Sequence, residues 1–516
     1  MKWVLILSVA ALVLWTVGLG QVPLRDWDEG YYAVVAREMV QQHTWLYPTR
    51  FGEPYFPKPP FGYWLGSLGY LLFGVANEFT LRLPMAVSTA LGVPLLYGVV
   101  RQLTYQRREA LLTAGVYMTL LPVVRLGRLH MFDGFINTLM IGVLWCILRS
   151  HQRRPWALGI GLCLAGIALS KGILAIALGG IALAFVVLDR QTAILKNPYT
   201  WVGLALGLLL TLGWNGLQWF RYGDVFVQEH LGFHNVARVS SVLEDNAGPP
   251  WYYLLEIAKY TFPWLLFWPG GLWLAWRSRH TSRGILVLTG NLLFLGMASV
   301  MGTKLPWYIM PLYPFFALAA GWQLSRQAYV YKLRWLFAGL IVVGLGGIAY
   351  FLLADPQVPL VLLAVCLTVT MGLLSWQLMQ RNMAYSRTLI IGIYSCLLLL
   401  MMSRSWLWEI NEAFPVVAVG QLISDNTPPG QVVYTSFAYG RPSLEFYASR
   451  PVAAVGLDDL RRFYGQGHYL LLEQAAVDQL AIASDAILGT AEGFNLVEPV
   501  APSAQVPWPV GDAGKT

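Results

Sequence analysis

Apolar windows of roughly 15–22 residues, long enough to cross a hydrocarbon layer, recur along the chain with short polar connections between them. They fall near 4–20, 82–100, 109–124, 131–149, 156–170, 172–189, 199–219, 262–276, 284–301, 306–324, 335–353, 357–379 and 388–404, which predicts about thirteen spans. The first window resembles a signal peptide, but Val17 to Pro23 reads VGLGQVP, without a small-x-small cleavage site, so an uncleaved first span is expected. Two long connections interrupt the series, at 21–81 and 220–261. The first predicts two amphipathic helices, about 29–42 with apolar Tyr32, Val35, Ala36 and Met39, and about 60–74, rich in Phe, Trp and Leu. Both suit the plane of a membrane interface, a solvated surface helix being the alternative. After about 405 the pattern changes to a helix around 414–425, the turn Thr427-Pro428-Pro429-Gly430, a strand over Gln431–Ser436, a helix near 441–448 and a strand at 451–455. The expected fold class is therefore an all-α polytopic membrane protein with a small C-terminal soluble α/β domain. Residues 1–404 form the membrane domain, 405–500 the α/β domain and 501–516 a disordered tail.

Composition agrees with that pattern. Of 516 residues 57% are hydrophobic and 12% charged, with mean hydropathy +0.54, whereas a soluble globular chain carries about a quarter charged residues. The net charge of +8 would suit a nucleic-acid partner, but its placement excludes that reading. With the N-terminus in the cytoplasm, alternate connections carry Arg101/Arg107/Arg108, Arg149/Arg153/Arg154, Arg190/Lys196, Arg277/Arg279/Arg283, Arg326/Lys332/Arg334 and Arg381/Arg387, so every cytoplasmic loop is basic. The two long loops and the C-terminal domain then face outward. Cys146, Cys163, Cys366 and Cys396 all lie in apolar segments, where a thiol packs as a small hydrophobe and implies no disulfide framework.

Candidate chemistry collects on the outer segments. Directly after the first span comes Arg25-Asp26-Trp27-Asp28-Glu29-Gly30-Tyr31-Tyr32, three carboxylates within four residues. Asp28 and Glu29 could cap the helix that starts there, or serve as a proton acceptor, and the two roles do not exclude each other. Cations stand on the same side: Lys58, Arg125, Arg128, Lys171, Arg238 and Lys304, with His234 beside them. Singly each reads as an interfacial anchor; together they describe a site for an anion bordered by lipid. Asp133, at the outer start of the fourth span, either pairs with Arg128 or Arg125 or is a second active-site carboxylate.

Asp28-Glu29-Gly30-Tyr31-Tyr32-Ala33 with Ala36-Arg37-Glu38-Met39, then Trp45-Leu46-Tyr47-Pro48, Tyr55-Phe56-Pro57-Lys58-Pro59-Pro60 and Tyr63-Trp64-Leu65, resembles the start of the bacterial transferases related to protein O-mannosyltransferases and to the lipid A aminoarabinose transferase. The likeness continues through Arg82-Leu83-Pro84, Arg128 to Asp133, Ser170-Lys171-Gly172, His234-Asn235 with Arg238, Pro250-Trp251-Tyr252-Tyr253 and Lys304-Leu305-Pro306-Trp307-Tyr308, and RPSLEFY at Arg441 to Tyr447 resembles the periplasmic domain of the aminoarabinose enzymes. The resemblance implies the GT-C fold and inverting transfer from a polyisoprenyl-phosphate sugar. It makes Asp28 the leading catalytic carboxylate, with Glu29 next and Asp133 a second acidic residue, and puts Lys58 and Tyr308 on the carrier phosphate; Arg238, Lys304 and Arg128, from their place among the outer cations, are expected as further phosphate ligands. His234, Tyr31 and Lys171 are further candidates.

Two positions depart from the aminoarabinose branch: Tyr31 stands where that branch has Arg, and Pro57 where it has a Glu associated with a bound metal, so a divalent metal lacks that ligand and metal stays unassigned. In the second loop either Glu229-His230 or His234-Asn235 fits the family position. The function expected is an integral membrane glycosyltransferase of the bacterial inner membrane, acting on a lipid, glycan or protein acceptor with an undecaprenyl- or polyprenyl-phosphate sugar as donor, and without need of a second copy. A protein O-mannosyltransferase is the rival within enzymes. A transporter or flippase of a lipid-linked or anionic solute is the rival outside them, and would place ionisable groups near mid-bilayer and reuse a repeated half.

Overall fold

The computed structural model describes residues 1–243, 246–326, 330–407 and 414–499; the stretch 501–516, expected to be a disordered tail, lies outside them. Contacts divide the chain into two units, one of Met1–Gln21, Phe56–Gly69 and Arg82–Trp406, the other of Val22–Tyr55, Tyr70–Leu81 and Leu407–Thr516.

Among the described residues seven helices are long and apolar enough to cross a membrane: Glu78–Thr104, Asp133–Ser150, Pro198–Tyr222, Ser282–Val300, Tyr331–Leu353, Val358–Met379 and Tyr385–Met402. Seven is fewer than the thirteen spans expected, and proline explains part of the difference. The window at 109–124 splits into helices Arg107–Met118 and Leu121–Leu126, because Pro122 lacks the N–H to continue a ladder and sits instead in a first turn. The window at 306–324 opens as a 3-10 segment, Pro306–Leu312, before helix Tyr313–Arg326. Windows 4–20 and 172–189 give shorter apolar helices, Lys2–Thr16 and Leu174–Leu188.

Burial sorts the helices of the first unit. Every residue from Tyr313 to Leu324 is buried, as is 78% of Asp133–Ser150, so these form the core. Only 22% of the apolar window in Pro198–Tyr222 and 11% of that in Tyr331–Leu353 is buried. A helix apolar on all sides and uncovered by protein is matched to hydrocarbon, not to water. Pro198–Tyr222 is also started as local rules require, with Pro198 in its first turn and the Asn197 side chain accepting the Tyr199 N–H at 3.1 Å.

In the second unit, helix Asp28–Gln41 packs on the short helix Pro442–Ala448. The approach depends on Gly30, where a Cβ would stand 2.5 Å from the Ser443 nitrogen. Tyr32, Val35, Ala36 and Met39, assigned to an apolar face, are all buried, and Ala33, Val34 and Ala36 share a core with Leu24, Leu81 and Phe446. That face is therefore covered by protein and does not lie in an interface. In Phe61–Phe73, by contrast, Leu68, Leu71, Leu72 and Phe73 are exposed, as an interfacial helix requires.

A two-residue ladder pairs β1 (Thr49–Arg50) with β2 (Glu53–Pro54). After residue 414 come helix Val416–Asn426 and strands β3 (Val433–Thr435), β4 (Val452–Ala454), β5 (Tyr469–Glu473), β6 (Ile487–Ala491) and β7 (Phe494–Val497), in sheet order β4-β3-β5-β7-β6. β3 runs parallel to β4 and β5, while β7 is antiparallel to β5 and β6. Strand alternation builds two cores: Leu471, Leu496 and Val433 face helix Val416–Asn426, and Leu470, Leu472 and Val497 face Leu460 and Val477.

Candidate active site

The three carboxylates after the first helix separate into different tasks. Asp26 is buried against Arg441 Nη1 at 3.0 Å, the Ser443 N–H at 3.2 Å and the Ser443 hydroxyl. Burial raises its pKa, with Ser443 and Arg441 opposing. Glu29 is fully buried and its carboxylate reaches back to the Arg25 N–H at 2.7 Å, satisfying a donor at the helix start. The helix begins at Asp28 itself, behind Trp27 at φ 66°, with no side-chain cap. Asp28 is therefore not the cap that spacing allowed. Among the described residues none donates a hydrogen bond to its carboxylate, which sits half-buried at the positive end of the helix.

Around Asp28 the second unit supplies phenols and a cation. Tyr31 lies 6.3 Å from Tyr55, ring to ring, and under Arg50, which is 4.8 Å from the Tyr31 ring. Arg50 in turn holds Glu445 with two bonds, 2.6 and 3.1 Å. Burial pushes the Tyr55 phenol well up, and the Tyr31 phenol and Asp28 carboxylate push the same way, so Tyr55 stays a neutral donor.

In the first unit a second group forms around Asp133, the first residue of its helix and 2% exposed. Its carboxylate takes the Lys171 ammonium at 2.7 and 2.9 Å, a forked contact made from the last turn of helix Leu158–Lys171. Of the two arginines the sequence offered as alternative partners, Arg128 points elsewhere. Arg125 Nε donates to the Trp406 carbonyl at 2.8 Å. Arg128 donates to the Leu14 and Val17 carbonyls at the C-terminal end of helix Lys2–Thr16, where the helix dipole favours a cation, and lies 4.7 Å from the Trp406 ring. Arg128 thus staples the end of that helix. The buried Lys304 ammonium donates to the Ser299 and Met301 carbonyls at 3.0 and 2.5 Å.

The remaining cations converge. The Lys171 ammonium lies 5.7 Å from the centre of the Tyr308 ring, and Arg238 Nη1 donates to the Tyr308 hydroxyl at 3.2 Å. Lys58 and Arg238 both act on His234: loss of hydration first, then these two charges and His230, lower its pKa to about 3. His230 is lowered to about 4, chiefly by burial, and its Nδ1–H donates to the Phe56 carbonyl at 2.6 Å while its ring stacks on Phe226. The two registers left open in the second loop therefore have separate uses. His230 anchors the irregular segment at Phe56, two residues before Lys58, and His234 is the neutral imidazole among the cations. Asn235, whose role the sequence left unread, ties this loop to the Lys171 turn by donating to the His230 carbonyl at 2.6 Å and accepting from the Ile173 N–H at 3.2 Å.

Two predictions follow from this geometry. Since both histidines are held neutral, the unfolded chain takes up protons first as pH falls below 6.5. Their contribution to stability is complete above that value and is lost on acidification toward about 4 for His230 and 3 for His234. The drop in unfolding midpoint between pH 7 and pH 5 should be smaller in His234→Asn than in wild type; an equal drop would remove His234 from this account. The loop leading to Asp133 is in turn seated on glycines, for a Cβ at Gly66 would stand 2.2 Å from His130 Nε2 and one at Gly62 2.1 Å from Phe132 Cε1. Gly66→Val should cost about 1–3 kcal/mol through overpacking, read as a lower thermal midpoint, and an unchanged midpoint would show that His130 yields freely.

Known proteins share both the sequence pattern and the architecture. Residues 57–214 match the family described as dolichyl-phosphate-mannose-protein mannosyltransferase. The undecaprenyl phosphate-α-4-amino-4-deoxy-L-arabinose arabinosyl transferase of Pectobacterium carotovorum is 32% identical over 310 residues, 57% of this chain. That match takes in 54% of the relative, so the chain spans about half the length of the curated relatives it matches. Across 98% of this chain and 99% of the other, the crystal structure of ArnT from Cupriavidus metallidurans bound to undecaprenyl phosphate superposes with a TM-score of 0.79 at 21% identity. The archaeal oligosaccharyltransferase AglB of Archaeoglobus fulgidus follows at 0.55 and 13% identity, over 91% of this chain and 69% of its own. The polytopic helical fold is the one these structures share.

Proposed function

We propose, from the premise that this chain is ArnT-like in sequence and in its GT-C fold, that it is an inverting membrane glycosyltransferase taking a sugar from a polyisoprenyl-phosphate carrier. The observation that carries the reading is the convergence of Lys171, Arg238 and Lys58 on Tyr308 and a histidine kept neutral. Such fixed donors suit a phosphate whose charge grows as the sugar departs. Asp28 is assigned as the base that accepts the acceptor's proton while its oxygen or nitrogen attacks the anomeric carbon, and a single displacement of this kind inverts configuration. Glu29 and Asp133 act by holding the helix start and the Lys171 ammonium. The carrier supplies both activation and membrane delivery, so no nucleotide is required.

The finer topology belongs to the same reading: thirteen crossings, a cytoplasmic N-terminus, 1–404 as the membrane domain, 405–500 on the periplasmic side of the inner membrane, and a monomer. A lipid or glycan acceptor is favoured by likeness to the arabinosyl transferases. A second reading, transfer to Ser or Thr of a protein, is favoured by the family match at 57–214. The test is transfer from labelled polyprenyl-phosphate sugars by the chain reconstituted in vesicles, with mass spectrometry of envelope lipids, glycans and glycoproteins from cells with and without it. Product on a lipid or glycan supports the first reading, product on protein the second, and none in any fraction overturns both.

A further inference from the structure

We infer that Asn137 is a positioning residue for this reaction, its side-chain amide fixing the 3-10 segment that carries Tyr308; the inference rests on the proposed function and deepens it. Asn137 is fully buried and stands four residues beyond Asp133 on the same helix, so the two side chains share a face. Asp133 holds Lys171, whose ammonium lies over the Tyr308 ring. Asn137 Nδ2 donates directly to the Met310 carbonyl at 3.0 Å. Helix Asp133–Ser150 thus grips Pro306–Leu312 at two heights, at Tyr308 through Lys171 and at Met310 through the amide. The segment depends on such support, because Pro306 and Pro311 supply no N–H and 3-10 hydrogen bonds are poorly aligned.

An amide is a costly choice for packing alone. Burying one in apolar surroundings is unfavourable, and Asn137 Oδ1 has no hydrogen-bond partner among the described residues. Leucine would fill the space without burying an amide, at the cost of leaving the Met310 carbonyl and the Tyr117 hydroxyl without it. Besides a polar neighbour for the buried Tyr117 hydroxyl, asparagine adds the bond to Met310, and through it the height at which the Tyr308 hydroxyl meets Arg238.

The test is a double-mutant cycle of Asn137→Leu and Tyr308→Phe in the full chain in vesicles, with turnover of a polyprenyl-phosphate sugar. Asn137→Leu should lower kcat about tenfold, with KM and thermal midpoint little changed, as for a misplaced but intact site. On the Tyr308→Phe background it should add nothing, since residues acting as a unit are not additive. An unchanged kcat, or the same loss on both backgrounds, overturns the inference. Should Asn137→Leu not fold, Asn137→Asp replaces it: the acid can donate to Met310 only when protonated, so kcat of that variant must fall with rising pH relative to wild type, and a parallel profile counts against the role. If wild type transfers no sugar, the proposed function has failed, and amide exchange over 306–312 still decides the positioning: faster in the variant supports it, equal overturns it.

Discussion

Asp28→Asn is expected to lower turnover at least about a hundredfold while leaving the fold and carrier binding intact, as loss of general-base assistance does. The structure explains why the fold should be kept. Asp26 is held by Arg441 and Ser443 and Glu29 closes on the Arg25 N–H, so neither anchor of the helix start is touched. Asn keeps the size of Asp28 and removes its charge, and no described residue donates to the carboxylate it replaces. The measurements are kcat on a reconstituted donor and the thermal midpoint of the same preparation. Near-normal kcat would strip Asp28 of the role; a collapsed midpoint with lost activity would make it structural.

Lys171→Met is expected to cost about 3–5 kcal/mol of stability, the range for removing one partner of a buried ion pair. The Asp133 side chain is 3% exposed and that of Lys171 12%, so little water can screen the charge left behind. Removing both charges in Lys171→Met/Asp133→Leu should restore most of the stability, because a buried pair is not in itself better than apolar groups of similar volume. Activity should not return, since the ammonium over Tyr308 is absent in both. Unfolding free energies in mixed micelles check the first claim and turnover the second. A loss below about 1 kcal/mol in the single variant would put the pair among solvent-screened ones.

Apolar periodicity and length made the membrane-embedded character legible, together with the basic connections, because hydrocarbon imposes those constraints on every span. It did not show where proline breaks an apolar window into separate helical pieces, as at Pro122 and across Pro306 and Pro311, since hydropathy does not register a missing N–H. The acidic cluster was legible as a place but not as an arrangement. Asp26 meets partners 415 and 417 residues away, Asp133 pairs with Lys171 from another helix, and Arg128 is drawn to the end of another helix. Asn137 went unread, although a lone amide in an apolar span was a signal that some backbone group there needs a donor.

The outward helix Tyr331–Leu353, with 11% of its apolar window covered, is held to a different standard from the core. Its outer positions answer to solubility in hydrocarbon and not to shape. Leu, Ile, Val and Phe should exchange there almost freely during divergence, whereas one Asp or Arg at its centre carries an insertion penalty of about 2.5–3.5 kcal/mol. Sequence drift in this part of the protein is therefore bounded by polarity alone.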